Sequence, residues 1–372
     1  MKALSLALLA LAATKAHAAT KRYIMYFDQW HKTNLPPKDV TAGVNYVIVA
    51  FAEAKGFNTA DGTNYKPFMP TEEVRALFDE GTKVCMAIGG WGDTDGFGVA
   101  AASEDSRRRF AENVNKTASS LGYDCVDVDW EYPGGNGEDY KKKPNSGKVS
   151  EIETYPLLLK EIKTAIGDKE LSIAVPGKEV DMIAYTAEKI PEISASVDFV
   201  NVMTYDLMNR RDNVTNHHTS VQGSLATIER YLARGMPAEK MTLGFAFYAK
   251  WFATKSCAQC DQRPTGCPTA VLEDDQGKDT ERSTAVTFEK ENFEKFNKAV
   301  NGSKADDEQG GQWYWDATEK KYWTFDTPKF IDRKLNEIVK AKNLGGVMAW
   351  SLAQDSYDWS RFKALQNGMK SM

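Results

Sequence analysis

Beyond residue 18 nothing in this 372-residue chain resembles a transmembrane span. Positive charge is not in excess either: 47 Lys and Arg face 52 Asp and Glu, which argues against nucleic acid and anionic membranes as partners and suits a neutral substrate. Internal repeats are missing, and so is any Pro/Ser-rich linker leading to a separate binding module. Cysteine is scarce and odd in number: with five, at least one thiol is free or pairs with another chain. Cys85 and Cys125 lie in apolar, strand-like runs and read as buried small hydrophobes. Cys257, Cys260 and Cys267 crowd one loop without a fourth cysteine or a neighbouring histidine, which favours a local disulfide, its two partners left open, over zinc. No metal and no cofactor is expected.

What is present describes a globular chain. Hydrophobic residues make up 42% and charged ones 27%, which excludes disorder, collagen and coiled coil. Nine Trp, fifteen Tyr and seventeen Phe exceed the usual needs of a core and suggest a surface that binds something flat. Residues 1–18 read as a secretory signal peptide: Lys2, an Ala/Leu-rich run from Ala3 to Ala13, and a small-x-small cleavage site at Ala16-His17-Ala18. The expected location is therefore extracellular. Cleavage leaves 45 basic against 52 acidic residues, a net −7. Asn115, Asn213 and Asn301 open N-glycosylation acceptor triplets.

Eight short apolar runs alternate with helix-like segments, the pattern of a parallel sheet covered by helices. They are Tyr23–Phe27, Tyr46–Phe51, Val84–Ile88, Cys125–Trp130, Leu171–Val175, Phe199–Tyr205, Met241–Phe247 and Gly346–Trp350. Amphipathic segments include Glu104–Leu121, Ser150–Ile166, Gln222–Arg234 and Pro328–Lys342. Eight strands predict an α/β fold, a (β/α)8 TIM barrel. The interval 251–325 is too long for a loop and reads as a small α+β insertion between strand 7 and helix 7 of a catalytic unit spanning 19–372.

The fourth run ends in Asp124-Cys-Val-Asp127-Val-Asp129-Trp-Glu131. Strand side chains alternate, so Asp127, Asp129 and Glu131 share one face and Asp124 falls out of step. In a parallel barrel that face points inward and rises to the C-terminal rim, where active sites form. Three like charges there work against stability, and a rigid strand interleaved with Val and Trp does not make a calcium loop. Crowded carboxylates hold a proton near neutral pH, so Glu131 reads as a general acid, and with an aromatic cleft around it the target reads as a glycosidic bond.

The pattern Asp-x-x-Asp-x-Asp-x-Glu resembles the signature of glycoside hydrolase family 18, the chitinases. Tyr26 and Trp30, Phe51, Gly89-Gly90-Trp91, Met203-Thr-Tyr205-Asp206, Phe247-Tyr248 and Trp350 resemble its other strand-end motifs in order, while Gly266-Cys-Pro and Thr324-Phe-Asp-Thr-Pro328 resemble borders of its insertion domain. The resemblance implies a secreted, monomeric chitinase acting on chitin and chitooligosaccharides by substrate-assisted retention. It gives Glu131 the acid and base role and makes Asp129 a hydrogen-bond partner of the acetamido N–H. Asp127 would share a proton with Asp129, and Tyr205 would orient the acetamido oxygen. Tyr26, Trp30, Phe51, Gly90, Trp91, Tyr132, Met203, Asp206, Tyr248 and Trp350 would bind substrate. A silent chitin-binding lectin and an endo-β-N-acetylglucosaminidase are the competing readings, and the retained Glu131 speaks against the lectin. Three positions depart from the pattern: Ala87 stands in place of Ser, and Ala249-Lys250 in place of Gly-Arg. The first raises the expectation of a weakened aspartate stack, the last of a lost bidentate contact. The loop Leu207–Thr219, with Arg210-Arg211, is also unlike the commonest members, and its His217-His218 pair reads as solvent-facing or loop-bracing.

Overall fold

A computed structural model describes residues 20–255 and 258–372. The signal-peptide reading of residues 1–18 and Cys257 of the crowded loop lie outside the described residues. Eight parallel strands close a barrel: β1 (Arg22–Asp28), β2 (Tyr46–Ala52), β3 (Lys83–Gly89), β4 (Cys125–Asp129), β5 (Glu170–Val175), β6 (Phe199–Val202), β7 (Met241–Ala246) and, after the insertion, β13 (Gly346–Trp350). Each predicted run lands on one of them, and β6 stops three residues before the expected Tyr205.

Alternation sorts the strand residues into two sets. Tyr23, Met25, Val47, Val49, Val84, Met86, Val126 and Val128 face outward and pack under the helices. Ile24, Tyr26, Ile48, Ala50, Cys85, Ala87 and Cys125 fill the barrel interior. A register irregularity between Val49 and Ala52 breaks the alternation in β2, so that Phe51 joins the interior set beside Ala50. Among the covering helices, Glu104–Ser120 starts from a capping box between Ser103 and Ser106, and Val221–Ala233 from Ser220. The expected helix Pro328–Lys342 is α-helical over Pro328–Lys334 and continues as a wider turn over Leu335–Lys340. Among the described residues no helix is long and apolar enough to cross a membrane.

The long interval after β7 builds a second sheet. Its strands are β8 (Ala249–Ala253), β9 (Ser283–Val286), β10 (Lys304–Asp306), β11 (Gly311–Asp316) and β12 (Lys321–Phe325), antiparallel in the order β10-β11-β12-β8-β9, with the helix Phe293–Asn301 packed on it. The buried Lys334–Asp326 ion pair, at 2.7 Å, and a hydrogen bond from Thr219 to Asp326 fasten the end of this segment to the barrel helices.

One sequence expectation is corrected here. Cys85 and Cys125 are not free thiols; they are opposite each other in the β3–β4 register and form a disulfide inside the barrel. Two inward positions on neighbouring strands satisfy the geometric requirement that an apolar run alone does not display. The crowded loop does hold a local disulfide, Cys260–Cys267. The β3–β4 bridge closes a 40-residue separation. Replacing both partners by Ala should therefore lower unfolding free energy by about 2–4 kcal/mol, read as a shift of the guanidinium midpoint; an unchanged midpoint would mean that the bridge carries no stability.

Candidate active site

The C-terminal ends of the barrel strands open into a cleft of about 710 Å³. Its lining includes Tyr26, Trp30, Phe51, Gly90, Trp91, Asp129, Glu131, Tyr132, Met203, Tyr205, Asp206, Tyr248 and Trp350, so every surface-contacting residue expected from the sequence meets there. Asp127 lies beneath the cleft floor, fully buried. Trp30 stands at the rim, 61% exposed. Trp350 sits 5.6 Å from Phe51 in a stacked pair and 5.5 Å from Tyr26. Peptide bonds Ala50–Phe51, Glu131–Tyr132 and Trp350–Ser351 are cis.

Backbone geometry makes room for the carboxylates. Gly89 and Gly90 have φ of 109° and 91°. A Cβ at Gly89 would lie 2.2 Å from the Asp129 carbonyl oxygen, and one at Gly90 2.7 Å from the Phe51 ring. A side chain at Gly89 would push β3 away from the strand that carries the acids, and one at Gly90 would displace the Phe51 ring.

Asp127 is held by donors from three strands. Tyr26 Oη donates to its Oδ2 at 2.8 Å, Ser172 Oγ to its Oδ1 at 2.6 Å, and Asn201 Nδ2 to its Oδ1 at 3.1 Å. Asn201 is itself fixed by Thr242 Oγ1, which donates to its amide oxygen at 2.8 Å. Ala87 faces Asp127 in the β3–β4 register, where a hydroxyl was expected; Ser172, opposite Asp127 on the β5 side, supplies it instead. The expected weakening of the aspartate stack is thereby offset. Ser172 and Asn201 escaped the sequence reading, although each is a polar residue at an inward position of an apolar strand.

One further expectation is modified. Among the described residues no hydrogen bond joins Asp127 to Asp129; Asp127's oxygens are committed to Tyr26, Ser172 and Asn201. Asp129 Oδ1 is instead buried without a partner. Burial, then Glu131, then Asp127 raise the Asp129 carboxyl well above the ordinary range. Burial also raises Asp127, against the pull of its three donors. Glu131 is pushed up to about 7, chiefly by burial, with Asp206 and Asp181 adding to the rise while Tyr132 and Arg211 oppose it. The column thus holds protons in the neutral range, as crowded acids must.

Around it, Tyr205 Oη donates among the described residues only to Met348 Sδ, at 3.8 Å. Asp206, at φ 52°, accepts from Tyr248 Oη at 2.8 Å and pairs with Lys250 Nζ at 2.9 Å. Burial works to raise the Asp206 carboxyl, but Lys250 and His218 win and hold it low. Lys250 therefore keeps an ion pair at the place of the expected fork. His217 and His218 are buried, not solvent-facing: His217 contacts Asp306, Thr324 and Tyr322 of the second sheet, and His218 packs on Tyr248. They brace the loop against neighbours that are remote in sequence. Lys178, Asp181, Asn209 and Tyr140 also line the cleft and carried no recognisable signal, because loops from different strands bring them in.

A family model for glycosyl hydrolases family 18 matches residues 22–355. The chain belongs to this family. Among curated relatives, Chitinase 1 of Aphanocladium album is 25% identical over 88% of this chain and 80% of its own length. Chitinase A1 of Niallia circulans is 26% identical over 78% of this chain, which spans 42% of that protein. Among solved structures, a family 18 chitinase from Cycas revoluta in complex with (GlcNAc)4 shares the fold at a TM-score of 0.71, with 22% identity over 93% of this chain and 98% of that one.

The family 18 carboxylate column carries a stability consequence. A carboxyl whose proton affinity is raised on folding is destabilising once ionised, and the loss grows as pH climbs from its unfolded value near 4.3 to about 7. Glu131→Gln removes that loss. The variant should be more stable than the parent by on the order of 1 to 3 kcal/mol at pH 8 and match it at pH 4. Denaturant midpoints at the two pH values check this, and a gain that is equal at both would contradict it.

Proposed function

We propose that the protein is a secreted chitinase that cleaves β-1,4 bonds between N-acetylglucosamine units with retention of configuration, the acetamido group of the substrate acting as nucleophile. One observation carries the reading: an unpartnered acceptor, Asp129 Oδ1, and a hydroxyl, Tyr205 Oη, that donates only over 3.8 Å to the weak acceptor Met348 Sδ among the described residues, belong to side chains lining the same pocket, and Asp129 is the leading charge acting on Tyr205. One acceptor and one donor are the complement of an amide, whose N–H donates and whose carbonyl accepts. An acetamido sugar seated over Trp350 meets both. The family membership, the chitinase names of the relatives and the sugar in the Cycas revoluta complex support the same substrate class.

The reaction then runs in two balanced steps. The acetamido oxygen attacks its own anomeric carbon, the glycosidic C–O bond breaks, and protonated Glu131 gives its proton to the departing oxygen. The positive charge of the resulting oxazolinium ring faces Asp129, whose hydrogen bond to the ring N–H strengthens as that charge grows. Glu131, now a carboxylate, takes a proton from water; the water oxygen bonds to the anomeric carbon from the leaving-group side as the bond from that carbon to the acetamido oxygen breaks, its electron pair returning to restore the neutral amide. Asp127 sustains the high proton affinity of Asp129 from below. Tyr26, Phe51, Trp91, Tyr132, Met203, Asp206, Tyr248, Gly90 and the rim Trp30 shape the sugar subsites. The second sheet, 249–325, acts as an insertion domain that walls the cleft of a monomeric enzyme, and residues 1–18 direct export.

Glu131→Gln should lower kcat by about 10²–10⁴ or more, the usual worth of general acid catalysis, with oligosaccharide affinity retained. Undiminished turnover would refute the assignment. In the parent, activity should fall as pH rises through about 7, because the acid must carry its proton. Product NMR should detect β-anomer first, whereas α-anomer would exclude retention, and cellooligosaccharides, lacking the acetamido group, should be inert.

A further inference from the structure

The loop after β6 carries two arginines whose positions the reaction does not explain. Both point across the barrel mouth. Arg210 and Arg211 each bring the guanidinium carbon to 5.9 Å from the Trp91 ring, which belongs to the loop after β3. Strands β3 and β6 are separated by β4 and β5 around the barrel, so a contact between their loops spans the opening. Arg211 is locked there by a two-pronged pair with Asp181, at 2.7 and 3.0 Å, and by the Asn136 carbonyl at 3.2 Å. Arg210 Nε meets Glu273 Oε2 at 3.3 Å, and the other Glu273 oxygen accepts from Tyr140 Oη.

Glu273 belongs to the insertion, where it bridges to Asp279 across a short hairpin. At Gly277 that hairpin lies against Lys141 of the loop after β4. Segments after β3, β4, β5 and β6 and the insertion therefore meet at one end of the cleft. Charge agrees with closure: Arg210 faces Glu273 and Glu138, and Arg211 faces Asp181, so neither cation is left to bind an anionic ligand.

The position of this end relative to Glu131 gives it meaning. Trp350, Phe51 and Tyr26 cluster on the glycosyl side, with exposed Trp30 beyond Phe51. In the proposed reaction Glu131 meets the departing oxygen, so its chain neighbour Tyr132, with Trp91 6.2 Å away, is assigned to the side of the leaving sugar. The glycosyl side is open and the leaving side is clasped.

Resting on the chitinase reading, we infer that the Arg210–Glu273–Tyr140 clasp ends the leaving-group subsites after one or two sugars, so that the enzyme trims short fragments from the reducing end of a chain whose remainder emerges past Trp30. Glu273 is a positioning residue that acts through Arg210 and Tyr140.

The test uses the full-length protein and chitohexaose bearing a trideuterated N-acetyl group on its reducing-end unit, a label that adds no bulk. In the parent, the deuterium should emerge in mono- and disaccharides. In Arg210→Ala and Glu273→Ala the ratio of short to long labelled fragments should fall about tenfold, equivalent to about 1.4 kcal/mol of lost discrimination. Arg210→Lys, which can still reach Glu273, should retain most of the bias, a rescue that general loosening of the loop would not give. Label spread evenly over fragment lengths in the parent, or a ratio unmoved in both alanine variants, would overturn the clasp. Total sugar released from the hexamer tests the chitinase reading separately, since an enzyme without a clasp would still cut it.

Discussion

Three carboxyl groups on one strand, pointing into the middle of a barrel, repel one another and lose their hydration, and the surrounding architecture answers that problem. Asp127 is made tolerable by hydroxyl and amide donors from β1, β5 and β6, with β7 holding the amide in place. Asp129 and Glu131 receive no comparable support and respond by keeping their protons to higher pH. Buried polar networks cost little when every member is satisfied, and the lowest acid is satisfied. The upper two remain dissatisfied, at the surface of the cleft.

The barrel and its acids were legible because both are periodic. A parallel strand covered on both faces reads as a short apolar run, and a break in that run by Asp at every second position is hard to mistake. Features that depend on neighbouring strands were not legible. Cys85 and Cys125 look like packing residues until the β3–β4 register sets them opposite each other. Ala87 looks like a loss until Ser172 is found on the other flank of Asp127. His217 and His218 look like surface residues of a polar loop until the second sheet covers His217 and Tyr248 covers His218. For the cysteine pair, Asp127 and His217 the deciding partner lies 40 or more residues away, which no local pattern encodes.

The site divides between a rigid floor and adaptable walls. Floor residues sit at strand ends whose positions the hydrogen-bonded barrel fixes, and Gly89-Gly90 lets β3 approach β4 closely enough to keep the acids in line. Wall residues such as Tyr140, Asp181, Arg210 and Arg211 come from loops, tied to one another by ion pairs and aromatic contacts. Strand ends hold the acids in fixed positions, and the loops above them build the walls.

The bridge between β3 and β4 sits one inward layer below Asp127 and Ala87. It forms only where thiols can be oxidised. The alignment of the proton-handling column is thus joined covalently to the redox conditions under which the polypeptide matured: chains folded among reducing thiols would carry the same acids over an unriveted seam.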